Sequence, residues 1–348
     1  MPPTTTKQWT IEGKSGFDSL KLDEKAPIPQ LGDKDVLVKI HAASLNYRDL
    51  AIPKGKYPFP VKENVVPGSD GAGTVEAVGS RVTRFKPGDK VVTLFNQGHI
   101  GGSLDPATIS TGLGGTLDGT LRQYAAFDEH GLVSMPENLN WLEASTLSCA
   151  AVTAWNALYG LDGRQLKPGD TVLTQGTGGV SIFALQFAKA AGAKVIATTS
   201  SEKKAALLKR LGADHVINYR DNPNWGEQAA DLTPGQLGVQ HVIEVGGPTT
   251  MAQSLRAIKI DGVISIIGFL GGFSKDQPSF LDCLNNMCIV RGILVGSRLQ
   301  FEEMNRAIEA NDIHPVVDDK VFEIDQLRDA MEYMWDQKHF GKLCIKLV

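Results

Sequence analysis

The chain has 348 residues, of which 42% are hydrophobic and 21% charged, a composition that excludes wholesale disorder and fibres and suits two compact domains. Its 35 basic and 39 acidic residues leave a formal charge of −4, which offers no polycationic field to nucleic acid. No apolar run reaches the roughly 18 residues of a spanning helix, the polar N-terminus carries no signal-peptide core, and Cys149, Cys283, Cys288 and Cys344 make no disulfide framework, so a soluble, cytoplasmic protein without membrane or nucleic-acid partners is expected.

From Asp35 to about Ala126 the apolar runs are short and bounded by Gly and Pro, as at 36–40, 73–78 and 89–94. This predicts a β-rich, barrel-like unit. Within it, residues 97–119 are glycine-rich and without periodicity, which reads as a lid or binding loop. From about Ala144 to Gly296 the style changes. Strands are predicted at 171–174, 194–198, 215–217, 241–245 and 263–267, with helices such as 181–191 and 202–211 between them. Buried strands alternating with amphipathic helices mean βαβ crossovers and a parallel sheet, an α/β architecture. Residues 301–310 and 324–335 then read as helices and 342–347 as a closing strand.

The first strand of the α/β part runs into Gly176-x-Gly178-x-x-Ser181 and then into a helix. Gly176 permits the sharp turn, Gly178 lets backbone approach a pyrophosphate, Gly179 and Val180 join them at the cofactor, and the N-terminal amides of the helix from Ser181 face that phosphate. Ser181 stands where Gly or Ala is usual, a small departure in size. After the second strand, 194–199, an NAD site wants Asp or Glu. The chain instead has Thr198-Thr-Ser-Ser-Glu-Lys-Lys204, hydroxyls and cations, with Glu202 a few residues late. Ser200 and Lys204, with Tyr219 after the third strand, suit a ribose 2′-phosphate. NADPH is therefore the expected cofactor.

Further landmarks are Pro67-Gly-Ser-Asp-Gly-Ala-Gly73, Phe85-Lys-Pro-Gly-Asp-Lys-Val91, Cys149-Ala-Ala-Val-Thr-Ala-Trp155, Lys167-Pro-Gly-Asp170 and Phe340-Gly-Lys-Leu343. With the glycine turn, they make the chain resemble the medium-chain dehydrogenase/reductase superfamily over essentially its whole length. The resemblance implies a GroES-like β-barrel catalytic domain, 1–145 and 299–348, plus a Rossmann doubly wound parallel-sheet domain, 146–298. In the zinc alcohol dehydrogenases of that superfamily the catalytic metal takes a Cys, a His often followed by Glu, and a further Cys or Asp. Here those positions hold Asn46, Ser69-Asp70 and Cys149, and the stretch 97–119 lacks the four cysteines of the structural zinc. One thiolate cannot hold a tetrahedral zinc. Cys283 and Cys288 read as core thiols.

Leu45-Asn-Tyr-Arg-Asp-Leu50 instead resembles the zinc-independent branch of quinone oxidoreductases and enoyl reductases. That resemblance implies that Asn46 and Tyr47 line the pocket beside the nicotinamide and that Thr153 touches its face. It also implies that the Gly268-Phe269 backbone meets the carboxamide and that Lys342 borders the cofactor. Without a metal, hydrogen bonds must carry the developing oxyanion, which is easier when its charge spreads into an enolate or hydroquinone anion. The expected reaction is hydride transfer from NADPH to an enone or quinone, with Asn46 and Tyr47 holding the oxyanion. A zinc-free alcohol dehydrogenase or carbonyl reductase, and a non-catalytic NADPH-binding protein, stay open. Members of the branch are commonly homodimers, and 289–294 offers an apolar edge strand for that.

Overall fold

The computed structural model describes residues 4–272 and 274–348. Among the described residues fifteen strands follow in chain order. The first seven are β1 (Thr5–Ile11), β2 (Leu20–Pro27), β3 (Asp35–Ser44), β4 (Asp70–Val78), β5 (Lys90–Thr93), β6 (Tyr124–Asp128) and β7 (Leu132–Ser134). Next come β8 (Thr171–Gln175), β9 (Lys194–Thr199), β10 (His215–Asn218), β11 (Val239–Glu244), β12 (Ile258–Ile266) and β13 (Ile289–Gly292). The last two are β14 (Phe322–Glu323) and β15 (Cys344–Lys346). The chain divides into two compact units, Met1–Val152 with Ser297–Val348, and Thr153–Gly296.

The first unit is a GroES-like domain built on a seven-stranded sheet in the order β14-β15-β3-β4-β5-β7, with β6 pairing β3. Strand β3 is its spine, because seven of its ten residues, such as Val36, Val38 and Ile40, are apolar or small and all seven are buried. The closing strand β15 pairs antiparallel with β3, Cys344 opposite Ser44. It is shorter than the sequence pattern predicts, and Lys342 and Leu343 run up to it outside the strand. The glycine-rich stretch is more ordered than its composition suggests. It holds a short helix, Pro106–Ile109, started by the Asp105 side chain accepting from the Thr108 amide at 2.7 Å. It also sends Leu113 into the core.

Two contacts explain that order. The Arg48 guanidinium donates to the Leu113 carbonyl at 2.6 Å and lies over the rings of Phe95 and Tyr57 at 4.6 and 5.2 Å. Gly119 packs so closely on the Gly68 carbonyl that a Cβ there would sit 1.8 Å from its oxygen. Only glycine fits at that crossing.

The second unit is a Rossmann domain. Its six strands lie in the order β10-β9-β8-β11-β12-β13 and every pairing is parallel. Strand β8 is buried along its full length, as a strand covered on both faces must be. The order runs outward in both directions from the β8–β11 pair, so the connections diverge there. At such a switch point the loops leave a crevice outside the carboxyl ends of the strands, where ligands bind in doubly wound sheets. Strand β13 is one edge and β10 the other. Just before β13 the apolar side chains of Phe280, Leu281, Leu284 and Met287 are all more than half exposed. Cys288 packs partly buried against the core and Cys283 is only half-buried, short of the core thiol that the sequence suggests. No helix among the described residues is long and apolar enough to cross a membrane.

Candidate cofactor and catalytic sites

At the switch point of the Rossmann unit, β8 ends on Gln175 and turns at Gly176, whose φ of +73° is left-handed. Its amide donates to the Thr198 carbonyl of β9 at 2.9 Å. Gly178 caps the helix Gly179–Ala190, so the helix begins two residues earlier than its apolar pattern predicts. A Cβ built on Gly176 or Gly178 would meet no atom within 4 Å. These glycines therefore leave open room in front of a 12-residue helix N-terminus, the space and dipole that a diphosphate needs. Ser181 is more than a small residue: its buried hydroxyl donates to the Gln175 carbonyl at 2.6 Å and ties the helix to the strand end.

Strands β9 and β10 pair through Thr199 and Asn218, so Ser200 and Tyr219 leave neighbouring strands side by side. The Tyr219 amide donates to the Thr199 carbonyl at 3.1 Å, and its ring is 42% exposed. Ser201 caps the helix Glu202–Arg210 by accepting from the Lys204 amide at 3.4 Å, which places Lys204 in the first turn. On the other side of the switch point, Gly268 and Phe269 follow β12. The Leu270 and Gly271 amides donate to the carbonyls of Val245 and Gly246, which ties this segment to the end of β11. Thr153 is buried in the first turn of its helix.

Sequence reasoning missed the residue that organises this end of the sheet. The Glu244 carboxylate is fully buried and takes five donors: the amides of Gly246 and Gly247 at 2.9 and 2.8 Å, Gln175 Nε2 at 2.7 Å, and the hydroxyls of Thr250 and Ser254. Gln175 in turn accepts from the Val245 and Gly246 amides through Oε1. The signal was present, because a glutamate ending an apolar strand must find partners if it is buried.

In the GroES-like unit, the short helix Tyr47–Ala51 presents the other candidates. Asn46 precedes it and donates its main-chain N–H to Asp49 Oδ2 at 2.8 Å. Asp49 is fully buried, which pushes its carboxyl up to about 6 against the pull of Arg48, whose nearest guanidinium nitrogen stands 4.0 Å away. Tyr47 is 38% exposed and its ring lies parallel to Trp335, centroids 6.2 Å apart. Lys54 sits 4.3 Å from the centroids of both Trp335 and Phe17.

Lys342 is almost wholly buried in this unit. Its ammonium donates to Asn46 Oδ1 at 2.6 Å, to the Leu45 carbonyl at 2.8 Å and to Asp70 Oδ2 at 3.3 Å. Asp70, also buried, accepts from Ser69 at 2.7 Å and from Ser44 at 3.0 Å. Burial, with the Asp70 charge adding to it, pushes the Cys149 thiol up to about 12. The structure thus gathers Asn46, Asp70 and Lys342 into one network. The resemblance implies that Lys342 borders the cofactor; its ammonium is bonded to Leu45, Asn46 and Asp70.

Two family models match the chain, an alcohol dehydrogenase GroES-like domain over residues 32–137 and a zinc-binding dehydrogenase over 179–310. A zinc-type alcohol dehydrogenase-like protein of Schizosaccharomyces pombe is 50% identical over 336 residues, 96% of each chain. A 2-methylene-furan-3-one reductase of Solanum lycopersicum is 30% identical and covers 99% of this chain and 79% of its own. The crystal structure of an NAD-dependent alcohol dehydrogenase superposes with a TM-score of 0.87 at 30% identity, over 98% of this chain and all of the other.

Proposed function

The chain belongs to the medium-chain dehydrogenase/reductase superfamily as an alcohol dehydrogenase-like oxidoreductase that uses a nicotinamide cofactor, and we propose that it reduces an activated C=C bond or a quinone with NADPH and without zinc. The observation that carries this reading is the donor set around Lys342. The zinc-binding family model and the zinc-type relative are named for a metal; the superfamily resemblance would put it at Asn46, Ser69-Asp70 and Cys149, and these residues do not fit one. An amide and a hydroxyl replace two of the ligands, leaving one thiol and one carboxylate, and an ammonium already occupies Asn46 Oδ1 and Asp70 Oδ2. The residues of the Rossmann unit do fit a dinucleotide, through the open room at Gly176 and Gly178 and the helix behind it.

Bound NADPH would supply the hydride. Ser200, Lys204 and Tyr219 take its 2′-phosphate, Gly176, Gly178, Gly179 and Val180 its diphosphate, and Thr153, Gly268 and Phe269 the nicotinamide end. Asn46 and Tyr47 hold the substrate oxygen as negative charge spreads onto it, and Tyr47 or a water provides the proton. The tomato relative, named for reducing an exocyclic enone, supports this substrate class. The alcohol dehydrogenase names of other relatives favour a second reading, reversible oxidation of simple alcohols. A homodimer joined along β13 belongs to the proposal, because the exposed apolar residues before that edge call for cover; sedimentation as a monomer would remove it.

The test is a fluorescence titration of chelator-treated protein with NADPH and NADH, repeated on Lys204→Ala, followed by rates on a matched enone and saturated ketone. We expect NADPH to bind more tightly, the variant to lose roughly tenfold or more of that affinity, and the enone to react. NADH preference, or activity on alcohols that depends on added zinc, would overturn the reading.

A further inference from the structure

Lysine has only donors on its ammonium, so the amide of Asn46 must turn its oxygen toward Lys342. That leaves the Asn46 NH2 facing the other way, where among the described residues it makes a long 3.5 Å approach to Ser69 Oγ. Asn46 is half-buried while Lys342 and Asp70 are almost wholly buried, so the charged pair lies deeper than the asparagine. An ammonium 2.6 Å from the amide oxygen polarises it and makes the NH2 a stronger donor.

We infer that Lys342 is a positioning residue for hydride transfer: it fixes and polarises the Asn46 amide so that its NH2 receives the oxyanion forming on a conjugated carbonyl. This rests on the reductase reading above and deepens it. The fold-back of the chain terminus thereby provides the electrophilic push that a metal provides elsewhere, relayed through a neutral amide. Asp70, held by Ser44 and Ser69, keeps the ammonium in place. At Lys342 and Asn46 only hydrogen bonds change; the electron pair comes with the hydride from NADPH.

A double-variant cycle on the full chain tests it. Lys342→Met and Asn46→Ala should each lower kcat on an enone by about 10²-fold, the usual loss of one oxyanion donor, with little change in KM. The two together should lose no more than either alone, because one acts through the other. Losses that multiply in the double variant, or an unchanged kcat in Lys342→Met, would overturn the inference. Lys342→Arg should recover part of the rate. Lys342→Met combined with Asp70→Asn, which leaves no buried carboxylate unpaired, guards against a folding defect and should still lack the lost rate. A second readout needs no turnover. The Asn46 side-chain NH2 signals in a 15N spectrum, assigned by their loss in Asn46→Ala, should shift in Lys342→Met more than those of any other asparagine and return in Lys342→Arg. Unmoved signals would sink the inference whatever the enzyme reduces. Moved signals in an enzyme that leaves enones and quinones untouched would instead locate the failure in the substrate assignment.

Discussion

Glu244 and Asp70 are both buried carboxylates, one in each unit, and they are neutralised by opposite means. Glu244 has no cation among its partners and spreads its charge over five neutral N–H and O–H donors. Asp70 has two hydroxyls and an ammonium. The first arrangement is a clamp: it joins β8, β11 and the loop after β11 and keeps its charge to itself. The second is a dipole with one end on Asn46, able to act on whatever meets that amide. Rigidity comes from many weak donors, and a directed field from one strong one.

Isosteric neutralisation should separate the two. Asp70→Asn strands the Lys342 ammonium in a buried site and should cost about 3–5 kcal/mol in urea unfolding. Glu244→Gln turns one acceptor oxygen into an amide facing donors and should cost about 2–3 kcal/mol, with weaker dinucleotide binding. If Glu244→Gln proves the costlier, the contrast between clamp and dipole is wrong.

Titration sharpens the contrast further. Asp49, pushed up to about 6 in the folded chain by burial, favours folding below its ordinary value near 4, and that contribution is lost as pH rises through 6. His241 in the Rossmann unit is held down to about 4, again by burial. Its contribution is present above its ordinary value near 6.5 and is lost as pH falls through 4. Between pH 4 and 6.5 the units should therefore lean opposite ways. Thermal melts across that range should show Asp49→Asn gaining at pH 7 relative to pH 4, and His241→Gln losing less than the wild type on acidification, each by about 1–3 kcal/mol. The smallest effect belongs to Ser181→Ala, about 1 kcal/mol for one buried hydroxyl bond, with dinucleotide binding retained; a calorimetric melt measures it.

Local pattern carried the fold. Alternating strands and helices, the turn at Gly176 and the short runs of the barrel are each written within a few residues, and their assembly follows from parallel-sheet rules. The ordering of 97–119 was illegible because it depends on Arg48, far back in the chain, reaching the Leu113 carbonyl. The Glu244 clamp joins a strand end to Gln175, 69 residues earlier. Lys342 meets Asn46 across 296 residues, and no spacing rule connects a lysine before a closing strand with an asparagine before a five-residue helix. Burial pairs such residues, and burial is a property of the finished fold.

The GroES-like unit is made of two chain segments, with the continuous Thr153–Gly296 unit inserted between them. On a ribosome the inserted unit is complete before β15 and Lys342 emerge, so it can fold while its host still lacks a strand. Strand β3 and Asp70 must wait, one edge unpaired and one carboxylate without its counter-ion, until the final segment docks. The asparagine network is thus completed only after the inserted unit has emerged, and a nascent chain can hold a finished Rossmann fold before Lys342 reaches Asn46.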